Sequence, residues 1–409
     1  MLLPIVALSI GLMLVRPRGL PEAWWVCGGA LLLVLLRLVP VGLAAQAVVE
    51  GTDVYLFLIG MMLLSELARQ YGVFDWLSSW ALRTAQGSGV RLLGLVYGVG
   101  TVVTVLMSND ATAVVLTPAI LAAVRKARTD PLPYLFVCAL IANAASFVLP
   151  ISNPANLVVY RGNVPPVGQW LSWFILPSVV SIVVTYGVLR AVFARDLQSV
   201  HSDVTAVALT PPAIRVLVGL ASVVLVVLIA SARGLSLGLP TCLAALATTA
   251  VVCAVARQNP LPLFRSISWS TLLLVAGLFV LVDGVVSQGA LNATRDWLEA
   301  AARLPPAPGT LATGFVVGVA NNLVNNLPLG LLAGATVHAA QAPSLLARAV
   351  LIGVDLGPNL SVTGSLATIL WLIALRREGL DVSFWRFLKV GAIAMPLALL
   401  GALLASLIA

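Results

Sequence analysis

Two carboxylates stand inside long apolar runs of this chain. Asp110 follows Ser108 and Asn109 in the run 92–124, and Asp355 lies in the run 345–374, ten residues before Ser365. An ionised carboxylate at the centre of a bilayer costs about 2.5–3.5 kcal/mol on insertion scales, so an acid kept there is more readily explained by use than by tolerance. Burial disfavours the charged form of a carboxyl, and such a group binds and releases a proton as solvent access alternates. Polar residues break four apolar runs in all, at 108–110, 152–156, 321–326 and 355–365. They supply Ser108, Asn109 and Asp110; Asn153 and Asn156; Asn325 and Asn326; and Asp355, Asn359, Ser361 and Ser365, with Asn143 ahead of the second break. No Lys or Arg belongs to any break. A dianion would normally meet a fixed positive charge or the positive ends of helix dipoles. Amides and hydroxyls, which donate and accept in turn, instead suit a neutral solute with several hydroxyls. Glu66 and Asp283, near the ends of their apolar runs, are weaker proton-coupling candidates with a capping or solvated role as the alternative.

What surrounds these residues is a membrane chain. Of its 409 residues 60% are hydrophobic and 9% charged, and the mean hydropathy is +1.06; a soluble domain carries roughly 25% charge. The formal net charge of +8 comes from Lys and Arg scattered between apolar runs. They form no stripe for nucleic acid and read as positive cytoplasmic loops. Cys27, Cys138, Cys242 and Cys253 lie in apolar runs without CxxC or Cys/His spacing, and His201 and His338 are far apart, so no metal site and no cofactor are expected. Only Cys138 is near the polar breaks, which keeps a thiolate contact to a soft metalloid open. The first fifteen residues lack the basic n-region and cleavage site of a signal peptide and read as a first spanning helix. With no Ser/His, HExxH or Cys/His constellation and no G-x-x-x-x-G-K loop, neither an enzyme nor an ATP site is expected.

A single span needs about 20 residues. Segments 92–124 and 132–160, and again 311–340 and 345–374, are much longer and carry polar residues, Gly or Pro near their middles. That is the signature of re-entrant hairpins and discontinuous helices. Basic residues at 16–18, 69–91, 125–128, 190–195, 257–265 and 376–389 set the cytoplasmic side. With Arg91 and Arg125 both there, 92–124 enters and leaves on one face, as a hairpin with its tip at Ser108-Asn109-Asp110. The segment 132–160 crosses once, broken at Pro150-Ile151-Ser152-Asn153-Pro154. The second half repeats the order: Asn109-Asp110 aligns with Asn325-Asn326 at an offset of 216, Glu66 with Asp283 at 217, each after a glycine (Gly60, Gly277), and Asn143 with Asp355 at 212. Each acid thus faces an amide across the repeat. The expectation is an all-α polytopic membrane protein of two inverted-topology repeats, 1–195 and 214–409, joined by a cytoplasmic linker 196–213. Each repeat would hold about five spanning helices, one re-entrant hairpin and one broken helix. Stretches 71–89 and 287–309, with Trp76, Trp80 and Trp297 among charges, read as interface helices, or else as long loops.

Ser108-Asn109-Asp110-Ala111-Thr112, Asn325-Asn326-Leu327-Pro328-Leu329-Gly330 and above all Asp355-Leu356-Gly357-Pro358-Asn359-Leu360-Ser361-Val362-Thr363-Gly364-Ser365 resemble the bacterial ArsB arsenite and antimonite efflux pumps, within the wider ion transporter superfamily. The resemblance runs over most of the chain. It implies a multi-pass protein of the bacterial inner membrane that exports arsenite and antimonite in exchange for protons. It also implies a cytoplasmic arsenite-stimulated ATPase as a partner in some bacteria. Arsenite near neutral pH is an uncharged trihydroxide, in keeping with the amide-and-hydroxyl breaks. The alternative within the superfamily is a sodium/proton antiporter or a carboxylate transporter.

Overall fold

The computed structural model describes residues 1–160, 163–197, 207–289 and 291–409. His201 and half of the expected linker, 198–206, lie outside them. The described residues form twenty α-helices and no strand. In the first half these are α1 (Leu2–Val15), α2 (Glu22–Leu35), α3 (Val41–Glu50), α4 (Thr52–Gln70), α5 (Val73–Thr84), α6 (Gly89–Met107), α7 (Thr117–Lys126), α8 (Leu132–Ala144), α9 (Pro154–Val159) and α10 (Val167–Val192). The second half holds α11 (Pro211–Ala232), α12 (Gly238–Ala256), α13 (Leu261–Ser266), α14 (Trp269–Ser287), α15 (Leu291–Ala302), α16 (Pro306–Val324), α17 (Asn326–Ala339), α18 (Ser344–Leu356), α19 (Leu366–Arg377) and α20 (Phe384–Ser406). Among the described residues six helices are long and apolar enough to cross a bilayer, and α3 with α4, bent by 44° at Gly51, make a seventh. This is a multi-pass membrane protein. The stretches around 71–89 and 287–309 are helices, α5 and α15, so the long-loop reading of them falls.

The chain breaks where polar residues interrupt the apolar runs. Ser108 ends α6 at φ 130°, ψ 163°, and Asn325 ends α16 at φ 80°, ψ 155°. Both lie in a backbone region close to glycine-only, at a cost of order 1–3 kcal/mol each. After Ser108 the chain turns back on itself. Thr112 Oγ1 donates to the Gly100 carbonyl at 3.5 Å and pairs with Thr104 Oγ1 at 2.8 Å, whereas twelve residues of straight helix span about 18 Å. The return arm runs through a π-helical stretch, Ala111–Leu116, into α7. In the second hairpin Val316 and Ala320 of α16 face Leu332 and Ala333 of α17 across one apolar cavity. The later spans break in the same order: α8, a short 3₁₀ turn at Pro150–Ser152, then α9; α18, turns at Gly357–Asn359 and Val362–Gly364, then α19.

The two break residues are 217 positions apart, the same offset as Gly60 and Gly277. Counted from these breaks, Asn109 and Asn326 hold the same position, as do Asp110 and Leu327, one residue away from the offset of 216 expected at the tips. The offset falls to 212 only beyond the tips, because the first return arm and the loop after it, up to Leu132, are longer than α17 and the loop up to Ser344.

The halves interlock. The fourth helix, α4, packs along α12, and α14 packs along α2. Gly60 and Gly277 explain how these pairs come so close. A Cβ on Gly60 would sit 2.9 Å from the Thr241 carbonyl oxygen, and one on Gly277 2.9 Å from Val26 Cγ1. Small residues at such crossings let membrane helices approach closely. Arg125 donates to Glu378 across the C-terminal ends of α7 and α19, and Tyr71 donates to Gln258 across the ends of α4 and α12. Both contacts join loops that the basic residues assign to one side.

Candidate functional site

Both hairpin tips and both later breaks meet at one small cavity in the protein interior. It is lined by Asn109 and Asp110, by Asn326 and Leu327, by Asn153 and Pro154, by Leu366 and Ala367, and by Leu58, Thr271 and Val275 from α4 and α14. Its volume is about 10 Å³, room for roughly one water. Any solute larger than water must part its walls. Four helical stretches begin at this wall: the return arm from Asn109, α17, α9 and α19. Three of them are capped from within: Asn325 Oδ1 accepts from Leu327 N–H, Asn153 Oδ1 from Ala155 N–H and Ser365 Oγ from Thr368 N–H. The fourth carries Asp110 in its first turn, where a carboxylate is favoured by the helix dipole.

Asn109 and Asn326 are the structurally matched pair. Both are buried, both line the cavity, and neither Oδ1 has a hydrogen-bond partner. Buried amides are ordinarily paired, and here two residues on the wall of one cavity each keep an amide oxygen without a partner. Asp110, partly exposed, has the one carboxylate on the wall among the described residues. Among the described residues no Lys, Arg or His lines the cavity. Leu58, Val275, Leu327 and Leu366 make the apolar part of the lining.

The other residues singled out in the sequence surround this cavity without lining it. Ser108 and Asn325 are the break residues, and Asn325 Nδ2 donates to the Thr363 carbonyl at 3.2 Å. Asn143 Nδ2 donates to Asn359 Oδ1 at 2.9 Å, joining the halves, and Asn359 Nδ2 donates to the Leu140 carbonyl. Asn156 Nδ2 closes the first broken span on the carbonyls of Ser146, Leu149 and Pro150. Ser361 donates to Asn322 Oδ1 at 2.7 Å, and Ser365, besides capping α19, lies 3.5 Å from Asn143 Oδ1. Asp355 is wholly buried behind the wall, where its Oδ1 accepts from Asn153 Nδ2 at 2.7 Å. Glu66 is taken up by Arg69 at the end of α4, and Asp283 is buried in α14, each away from the cavity. Cys138, buried in α8, does not line it either.

Sequence reading missed Leu58, Thr271 and Val275, which sit in helices whose composition is ordinary for a span. The glycine register held the signal: Leu58 and Val275 are themselves 217 positions apart, each two residues before Gly60 or Gly277.

Residues 5–353 match the protein family described as citrate transporter, CitMHS. The arsenical pump membrane protein of Yersinia enterocolitica is 27% identical over 420 residues, 98% of this chain and 97% of that one. The protein of the same name from Escherichia coli is 26% identical over 419 residues, covering 98% and 96%. An uncharacterized transporter of Mycobacterium tuberculosis is 26% identical over 368 residues, covering 85% and 83%. Among solved structures, the YdaH transporter of Alcanivorax borkumensis matches with a TM-score of 0.60 at 16% identity, over 89% of this chain and 86% of that one. MtrF of Neisseria gonorrhoeae matches at 0.57 and 13%, over 92% and 84%. At such identities these two speak for the fold alone.

Proposed function

This chain belongs to the citrate transporter family, and from that premise we propose that it exports trivalent arsenite and antimonite from the bacterial cytoplasm in exchange for protons. That it is a multi-pass membrane transporter rather than an enzyme follows from its relatives and its spans. The observation that carries the choice of cargo is the lining of the cavity among the described residues: two amides whose oxygens have no partner, one carboxylate and no cation. The starts of the helices give this wall partial positive charge, roughly +0.5 for a full-length helix. Asp110 answers that charge from within the protein. An anion such as citrate therefore meets a carboxylate already in place, whereas a neutral trihydroxide meets groups that both donate and accept. The near-full-length arsenical pump relatives point to the same cargo.

In this reading Asn109 and Asn326 take hydroxyls of the cargo from opposite halves, and Asp110 accepts a third or takes a proton. Asp355 holds a second proton behind Asn153. The halves are inverted repeats, and the tips must part toward one side at a time, since the closed cavity admits no cargo. A cytoplasmic arsenite-stimulated ATPase is a proposed partner, reached from the side marked by Arg125 and Arg376.

The test uses purified protein in inside-out vesicles. Arsenite uptake driven by an acid-inside pH gradient is expected, with no requirement for Na⁺. Absence of gradient-driven arsenite uptake, or dependence on Na⁺ with uptake of citrate, overturns the reading.

A further inference from the structure

One side chain joins the cavity to the buried acid. Asn153 lines the cavity, and its amide is held at both ends: Oδ1 accepts from Ala155 N–H at 3.0 Å, and Nδ2 donates to Asp355 Oδ1 at 2.7 Å. A backbone N–H only donates, so the oxygen of this amide must face Ala155 and the nitrogen must face Asp355. An amide nitrogen has two N–H groups; Asp355 takes one, and among the described residues nothing takes the second. Asp355 has no place on the cavity wall, and its Oδ2 is buried without a partner. Beside the same carboxylate stands the Ser146 hydroxyl, which donates to the Asn143 carbonyl at 2.7 Å.

The second half supplies a control. At the corresponding start of α19 the cap is Ser365, which accepts from Thr368 N–H at 3.1 Å and serves no acid. Capping therefore does not require an amide at this place. What Asn153 adds over a serine is the N–H to Asp355.

We propose that Asn153 is the positioning residue that couples cargo in the cavity to Asp355, one amide nitrogen serving the acid with one N–H and the cargo with the other. Because Asn153 also starts α9, any shift of that short helix as the tips part moves the donor of Asp355 with it. Occupancy of the cavity and the hydrogen bonding of the buried acid then change together. This inference rests on the proton exchange proposed above.

The experiment compares two readouts on protein reconstituted in liposomes: arsenite–arsenite exchange at equal pH, and arsenite accumulation driven by a pH gradient. Asn153→Ser keeps a good cap and removes the N–H. It is expected to slow exchange by about threefold, for one lost neutral contact, and to cut accumulation by about tenfold or more, for a lost hydrogen bond to a charged acid. Asp355→Asn should cut accumulation and leave exchange near wild type, and in accumulation the double variant should lose no more than Asp355→Asn alone. Thermal melting of each variant checks that the fold is kept. Exchange and accumulation falling in parallel in Asn153→Ser, or accumulation retained, overturns the proposal. So does Asp355→Asn with wild-type accumulation. Wild-type protein that fails to accumulate arsenite under the gradient instead sinks the proton exchange itself, and the role of Asn153 with it; that result is read before any variant is made.

Discussion

The two hairpin tips have the same backbone break and different chemistry. In the first, Ser108-Asn109-Asp110 leads into a π-helical return arm, and the interior of the hairpin holds the buried hydroxyls Thr104, Thr112 and Thr117. Its tie to the broken span of its own half includes Ser152, which donates to the Val105 carbonyl at 3.0 Å. In the second, Asn325-Asn326-Leu327 leads into a regular helix, and the hairpin is stitched to its broken span by amides. Asn321 donates to the carbonyls of Gly353 and Val354 at 2.9 and 2.7 Å, Asn322 to that of Gly357 at 3.1 Å, and Asn325 to that of Thr363. The second tip is built as a braced wall. The first carries the acid and the looser arm, with a π-helical segment of the kind frequent at functional sites. One position marks the division: Asp110 in the first tip, Leu327 in the second, both on the cavity wall.

The strongest way to break this comparison is to erase the division. Asp110→Asn should cut gradient-driven arsenite transport by about 10- to 100-fold, for loss of a charged partner and proton site, and Leu327→Asp should not restore it. Restoration by Leu327→Asp would mean that the braced tip serves as well as the loose one. The matched pair comes next. Asn109→Ala and Asn326→Ala should each weaken arsenite binding by about 2- to 12-fold, the range of one neutral hydrogen bond, measured by titration. A large effect from one and none from the other would refute a shared grip. Smaller for transport, but clear in stability, is Asn321→Ala. It takes the side-chain donor from two buried carbonyls, of which that of Gly353 keeps the Gly357 N–H, a loss of about 1–3 kcal/mol, seen as a lower melting temperature in detergent; Ser152→Ala in the first half should cost less. Last, Glu66→Gln should change transport by less than about twofold, since its ion pair with Arg69 is at a helix end and part-exposed.

Much of this site was legible in the sequence because a polar residue in an apolar run is costly and therefore conspicuous. Asn109, Asp110, Asn153 and Asn326 were found on that ground alone. The same signal could not separate residues that face the cavity from those that hold the breaks together. Asn143, Asn156, Asn359 and Ser361 are as polar and as buried, but they close broken backbone or join the halves. The one-residue slip at the tips has a plain cause. The adjacent amides Asn325 and Asn326 invited alignment with Asn109 and Asp110, whereas the register is set by the strained residue, Ser108 or Asn325, and strain leaves no mark in composition. The apolar wall was hidden for the opposite reason: Leu58, Val275 and Leu366 look like any lipid-facing residue until the helices are placed.

The central claim is that the tips grip a neutral hydroxylated metalloid, and direct titration of the purified protein tests it. Arsenite and antimonite should bind with measurable heat, binding should be weakened by about 4- to 100-fold in the Asn109→Ala/Asn326→Ala double variant, and citrate should produce none. Citrate binding that depends on those two amides, with no heat from arsenite, would contradict the account.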